Sequence, residues 1–210
     1  ARSALRVVEA AITVVDAVAG VEVQTEKLWS EAASLNLPRI VAVNRLERDR
    51  ASLERTLESL RRDCAREITP IQLPLGEERG FTGVVDLVRM KALTVAADGS
   101  VAVTEGDIPP ALADRAAQAR EQLIEAVAEA DDKLMELFFA EGTLTQEQLV
   151  SGLRAATVAG RLFPLVCTSG LHVIGIKGLL DAIVDYVPPP AERGFPAVSK
   201  DGTETAVKAR

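Results

Sequence analysis

An amide, a guanidinium and a carboxylate occupy the first, second and fourth places of Asn44-Arg45-Leu46-Glu47, directly after the apolar run Ile40-Val41-Ala42-Val43. A second apolar run, Leu165-Val166-Cys167, ends in Thr168-Ser169-Gly170-Leu171. Such side chains, together with a backbone bared at glycine, can read the donors and acceptors on the edge of a heterocyclic base. Two buried strands that each end in a polar loop are what a nucleotide-binding α/β sheet uses to hold a base. Open α/β sheets bind their ligands outside the carboxyl ends of parallel strands, where such loops sit. The chain has no Gly-x-x-x-x-Gly-Lys-[Ser/Thr] loop to cradle phosphates and place a magnesium ion. Taken alone, the two stretches also fit a plainer role, with Asn44 and Glu47 as turn residues opening a helix and Ser169-Gly170 as a turn.

The remaining reactive residues read as structural. His172 is the single histidine and reads as a solvated loop residue. Asp16 closes an apolar run and reads as a residue that structures the following loop. Cys167 reads as a small buried apolar residue at a strand end. The basic residues from Arg45 to Arg50 and at Arg61-Arg62 read as solvated loops and helix faces. No catalytic residue and no metal-ligand cluster emerges. Cys64 and Cys167 lie too far apart in sequence to suggest a disulfide or zinc framework, which fits a reducing cytoplasm. A formal charge of −7 argues against an electrostatic grip on nucleic acid or anionic lipid by the chain as a whole. No apolar run approaches membrane-spanning length, and Ala1 to Val8 lack the apolar core of a secretory signal.

These loops need elements to hold them. Hydrophobic residues make up 48% of the 210 and aromatics only 3%, so the core must be built from Ala, Val, Leu and Ile. Ala11 to Asp16 predicts a strand, followed by a loop through Gly20 and a helix from about Val21 to Leu35. Pro38 introduces a strand over Arg39 to Val43, and Leu53, Leu57 and Leu60 recur at helical spacing as far as Cys64. A strand is expected from Pro70 to Leu75. Later come a strand over Leu162 to Cys167 and a helix with one broad face of Ile176, Leu179, Leu180, Ile183, Val184 and Val187, stopped by Pro188 to Pro190. This alternation implies a mainly parallel sheet. Between these units the pattern changes. Short β-prone runs at Phe81 to Leu87, Met90 to Ala96 and Val101 to Thr104, with a turn at Asp98-Gly99-Ser100, predict a small antiparallel sheet. Pro109-Pro110 opens a long helix to about Ala130, Asp131-Asp132 starts another ending near Glu141-Gly142, and Thr145-x-x-Gln148 has capping-box spacing. The organisation expected is therefore a core of residues 1–75 and 161–190, an inserted α+β lobe over 76–160, and a linker-like tail over 191–210.

With these elements placed, the chain resembles the G domain of translational GTPases, most closely elongation factor G and its paralogues. The resemblance rests on stretches in one order: Asp16-x-x-x-Gly20-Val21-x-x-Gln24-Thr25-Glu26; Pro38-Arg39-Ile40 leading to Asn44-Arg45-Leu46-Glu47; Gln72-Leu73-Pro74-Leu75-Gly76 before Phe81-Thr82-Gly83-Val84-Val85-Asp86; and Ser169-Gly170-Leu171 before Gly178-Leu179-Leu180-Asp181. It implies an α/β fold with a partial P-loop NTPase-type parallel sheet and the inserted α+β lobe. It also implies GTP or GDP as ligand, with magnesium in the full-length protein, and the ribosome as partner of a cytoplasmic elongation factor. In that family an Asn-Lys-x-Asp segment recognises guanine, and it matches Asn44, Arg45, Leu46 and Glu47. A carboxylate in the fourth place accepts from both the ring N–H and the exocyclic amino group of guanine, a pairing that adenine cannot offer. Such an edge discriminates by about 1–3 kcal/mol. Arg45 can cover a base face as lysine does. Glu47 departs from the pattern, because its extra methylene moves the carboxylate by roughly 1.5 Å and spoils a two-point fit unless the loop shifts. The family's second base loop, Ser-Ala-x, matches Ser169, Gly170 and Leu171, and Gly170 keeps the backbone donor for the guanine O6.

The family's phosphate loop, first switch and water-positioning histidine would precede Ala1. The resemblance therefore implies a fragment that carries base recognition and does not hydrolyse GTP by itself. It further implies an open sheet edge at Ala11 to Asp16 and self-association through it. Two alternatives stay open. One is another translational GTPase, a ribosomal protection protein or a class II release factor. The other is a degenerate module kept for binding alone.

Overall fold

The computed structural model describes residues 2–95, 102–192, 194–198, 201 and 204–208. A short helix α1 (Arg2–Leu5) precedes β1 (Ala11–Asp16), α2 (Val23–Ser34), β2 (Arg39–Asn44) and α3 (Leu53–Asp63). Ser52 caps α3 by accepting from the Arg55 amide, and Arg61 and Arg62 in its last turn favour the negative end of the helix dipole. Arg61 is more than a solvated residue here. Its Nε donates to the Ile68 carbonyl at 3.1 Å, and burial lowers its pKa.

The apolar run expected as one strand from Pro70 to Leu75 is two strands belonging to different sheets. β3 (Ile68–Pro70) pairs with β8 (Phe163–Cys167), and β4 (Gln72–Leu75) pairs with β5 (Gly83–Asp86). The partner changes at Ile71, whose N–H donates to Leu165 O at 2.9 Å while its carbonyl accepts from Leu87 N at 3.0 Å. Gln72 keeps the two sheets joined, because its Oε1 accepts from the Cys167 amide at 3.1 Å. After β5 come β6 (Lys91–Val95) and β7 (Val103–Gly106), giving an antiparallel sheet in the order β4-β5-β6-β7. The turn expected at 98–100 lies outside the described residues.

Three helices follow. α4 (Pro110–Glu129) starts on a proline at its first position, and α5 (Asp132–Glu141) is capped by Asp131 and ends on Gly142 in the left-handed region, φ 73°. α6 (Gln146–Val158) carries the expected capping box, with Thr145 Oγ1 accepting from Gln148 N at 3.3 Å and Gln148 Oε1 accepting from Thr145 N at 2.8 Å. β8 then returns to the first sheet, and α7 (Ile176–Tyr186) follows it. Its broad apolar face is only partly covered, since Leu180 and Val184 are exposed. The tail read as a linker contains paired strands, β9 (Gly194–Val198) and β10 (Glu204–Lys208), joined antiparallel. The β-prone alternation in Glu204-Thr205-Ala206-Val207-Lys208 is masked at the level of sequence by the glycine, proline and charge around it.

The architecture is mixed α/β, with a four-stranded parallel sheet in the order β1-β2-β8-β3 and the separate antiparallel sheet beside it. β2 and β8 lie at its centre and are buried along their length apart from Asn44, as two-sided burial of a parallel sheet requires. The core is aliphatic, with Leu37, Ile40, Leu60, Ile68, Leu123, Leu149 and Leu165 fully enclosed. Among the described residues, Arg39 is the one charged residue buried within it. The Arg39 guanidinium lies 4.4 Å from the Trp29 ring and 4.2 Å from Phe163, whose rings meet edge to face.

Candidate base-binding site

β2 and β8 are parallel neighbours with Val43 opposite Cys167, so the loops that follow them leave the same end of the sheet side by side. Thr168 continues the register, donating its N–H (2.8 Å) and its hydroxyl (3.0 Å) to Val43 O. Asn44 ties the loops together. Its Oδ1 accepts from the Gly170 amide at 2.9 Å and from Thr168 Oγ1 at 3.4 Å. The Gly170 N–H expected to reach a base is therefore donated to Asn44 in this structure. A methyl group at Gly170 would stand 3.7 Å from that same amide, an ordinary contact that leaves room for alanine.

The second loop closes on itself. Ser169 and Ile174 exchange backbone hydrogen bonds of 2.9 and 3.1 Å, and Ser169 Oγ accepts from His172 N at 3.2 Å. Leu171 and His172 stand at its tip, both exposed, and Ser169 is fully buried behind them. Gly175 makes the exit possible, since it sits at φ 72° and a Cβ there would fall 2.0 Å from Cys167 O. Cys167 is buried, as its strand-end position suggested, and burial pushes its thiol pKa up.

In the first loop, Arg45 is left-handed, φ 66°, and its guanidinium donates to Asp16 Oδ2 at 2.9 Å. The Arg48 guanidinium lies 3.9 Å from the same oxygen. Asp16 Oδ1 accepts from the amides of Val18 (2.8 Å) and Ala19 (3.2 Å), so the aspartate both shapes its own loop and holds the arginine. Burial pushes its carboxyl up, but the Val18 amide, Arg45 and the Ala19 amide outweigh that and leave it below the usual value. Glu47 Oε2 is buried with no hydrogen-bond partner among the described residues, which for a carboxylate oxygen is costly unless a donor meets it.

These loops line an open hollow of about 1160 Å³, large enough for a purine nucleoside. Of the six residues expected at the site, Asn44, Arg45, Glu47, Gly170 and Leu171 line it, and Ser169 braces the wall from behind. Its rim includes three residues that were not expected there, Asp49, Arg50 and Arg79. Arg79 arrives from the segment after β4, and nothing local in the sequence signals it. The Asp16–Arg45 pairing had a usable signal, because adjacent parallel strands place Asp16 opposite Asn44. Smaller hollows of about 370, 250 and 240 Å³ lie around Arg66 and Glu129, between α3 and α4, and beside α7. None of the three is lined by the loops after β2 and β8.

Residues 1–189 match the family described as elongation factor Tu GTP binding domain. Among solved structures, the chain is similar to a protein from Thermus thermophilus, with 35% sequence identity and a TM-score of 0.82. That match covers 93% of this chain and 29% of the Thermus chain.

Proposed function

Because the chain belongs to the family of elongation factor Tu GTP-binding domains, the G domains of translational GTPases, we propose that the hollow between its two loops binds the base of a guanine nucleotide. The observation that carries this reading is the unpartnered, buried Glu47 Oε2 at the wall of that hollow. Guanine offers two adjacent donors, and a carboxylate accepts both. Arg45, held by Asp16, supplies a flat cation for one base face. Asn44 holds the opposite loop at the distance at which the Gly170 amide can be shared with an incoming carbonyl oxygen. Glu47 lines the hollow, which supports reading its carboxylate as the base acceptor despite the extra methylene.

For the whole protein we propose the work of an elongation factor G-like translational GTPase in the cytoplasm, in which GTP hydrolysis is coupled to translocation on the ribosome. The α+β segment between β3 and β8 supports that subfamily. Phosphoryl transfer needs phosphate positioning, magnesium and an oriented water. Among the described residues no three of His, Cys, Asp and Glu form a metal-holding group. Base recognition is the role we assign to this chain. No helix among the described residues is long and apolar enough to cross a membrane. We also propose self-association through the β1 edge.

Titration of the chain with GDP and with ADP, followed by amide chemical shifts, tests the base assignment. GDP is expected to shift the amides of Asn44, Glu47 and Gly170 at concentrations where ADP leaves them in place. Equal responses to the two nucleotides would overturn it.

A further inference from the structure

The base loop continues past Glu47 into two linked turns. Arg48 N donates to Arg45 O at 3.1 Å, and Ala51 N donates to Arg48 O at 3.0 Å. Glu47 is a central residue of the first turn, and Asp49 and Arg50 are the central residues of the second. Both residues of that second turn are gripped by one short element on the far side of β4. Glu78 Oε1 accepts from the Arg50 amide at 2.8 Å. Arg79 makes a two-pronged contact with Asp49, Nε to Oδ1 at 3.1 Å and a terminal nitrogen to Oδ2 at 3.3 Å.

That gripping element, the 3-10 turn Glu78–Gly80, is fixed in its own right. Gly80 N donates to Glu77 O, Phe81 N to Glu78 O, and Thr82 N to Leu75 O, at 2.9 to 3.0 Å. Gly76, φ 78°, packs so tightly that a Cβ would fall 2.0 Å from Gly80 O. The two residues that meet, Glu78 (φ 51°) and Arg50 (φ 67°), are both non-glycine and left-handed. Such conformations persist only where the surroundings over-determine them, and they cluster at functional sites. The Arg50 carbonyl is also taken, by the Arg55 guanidinium, so both backbone groups of Arg50 are engaged.

We infer that Glu78 is a positioning residue for base selection: by holding the Arg50 amide it fixes the second turn, and through the shared Arg48 it sets the orientation of the Glu47 carboxylate. The inference rests on the guanine-binding reading of the hollow. Most of the weight falls on Glu78. Glu78 and Arg50 are themselves exposed, but this bond goes to a backbone amide and so holds the turn directly, while the exposed Arg79–Asp49 ion pair joins side chains alone and contributes little. It also explains how a glutamate serves where the family carries an aspartate, since a longer side chain needs a loop held in one place. The segment that carries β4 thereby becomes part of the specificity of a site lined mainly by the loops after β2 and β8.

The test compares GDP with inosine diphosphate, which lacks the exocyclic amino group, by amide-shift titration of the native chain, Glu78→Ala and Glu78→Gln. The native chain is expected to prefer GDP by about tenfold or more, the value of one hydrogen bond to a charged acceptor. Glu78→Ala should bring that ratio close to one, and Glu78→Gln, which keeps an acceptor, should retain most of it. A Glu78→Ala chain that keeps the native ratio, or that loses affinity for both nucleotides equally, overturns the inference. A native chain that fails to separate GDP from ADP overturns the base assignment and this inference with it. Hydrogen exchange on the native chain gives a second readout independent of any variant. The Arg50 amide should be protected although its turn is exposed, and exchange at the rate of an open loop would also overturn the inference.

Discussion

Both oxygens of the Asp16 carboxylate are committed, Oδ1 to the Val18 and Ala19 amides and Oδ2 to Arg45, so one side chain joins the end of β1 to the base loop after β2. Its pKa is lowered from 3.8 in the folded chain, the amides and Arg45 outweighing burial. A carboxyl whose folded pKa lies below its unfolded value adds stability above the unfolded value and loses it as pH falls through the folded one. Replacing Asp16 by Asn keeps an acceptor for the amides and removes the charge that holds Arg45. At pH 7 the Asp16→Asn chain is expected to unfold at a lower urea concentration than the native chain, by less than about 1 kcal/mol for an ion pair this close to solvent. The gap should close below pH 3.8, the ordinary aspartate value, as the native carboxylate itself takes up a proton. Urea midpoints at several pH values check this, and a gap that widens on acidification would contradict the assignment.

At the scale of elements, the exit from β8 depends on Gly175. An alanine there would place its Cβ 2.0 Å from Cys167 O in a left-handed backbone, φ 72°. Strain and overlap together should destabilise the chain by at least about 2 kcal/mol, and the loop from Ser169 to Ile174 should lose its paired backbone bonds. A Gly175→Ala chain with a native urea midpoint would show that the loop has another way out. Other element ends were readable in the residues themselves. The Thr145–Gln148 capping box, the Asp131 cap and the Gly142 stop all rest on contacts within one turn. That the loops after β2 and β8 meet was readable for a different reason, because polar loops after neighbouring parallel strands leave the same end of the sheet. What escaped the sequence was decided by tertiary partners. Nothing in the stretch from Ile68 to Leu75, in which Thr69 and Gln72 interrupt the apolar residues, marks Ile71 as the residue whose N–H stays with one sheet while its carbonyl joins another. The burial of Arg39 at the start of β2 is likewise set by Trp29 and Phe163, which close on it from elsewhere in the chain. Arg79 reaches the rim of the hollow across 30 residues of chain.

At the scale of the whole molecule, β1 is an edge strand of the parallel sheet and carries none of the usual protection. Its sequence, Ala-Ile-Thr-Val-Val-Asp, has no lysine and no proline. Ile12 and Val14 are 42% and 59% exposed, and their spacing of two places them on one face of the strand. Full burial of a side chain of this kind stabilises by about 1.5–3 kcal/mol, a gain that a second copy can supply by pairing along the same edge. The net charge of −7 opposes that approach, and salt screens it. The average mass seen in sedimentation velocity should therefore rise with protein concentration, and rise further when salt is added at fixed concentration. Val14→Lys puts a charge in the middle of the edge and should leave a monomer under every condition. Were the native chain monomeric throughout, or the mass indifferent to Val14→Lys, pairing along β1 would be excluded. The hollow proposed to take the base lies at the end of the strands and not along this edge, so GDP titration should give the same response in the Val14→Lys chain.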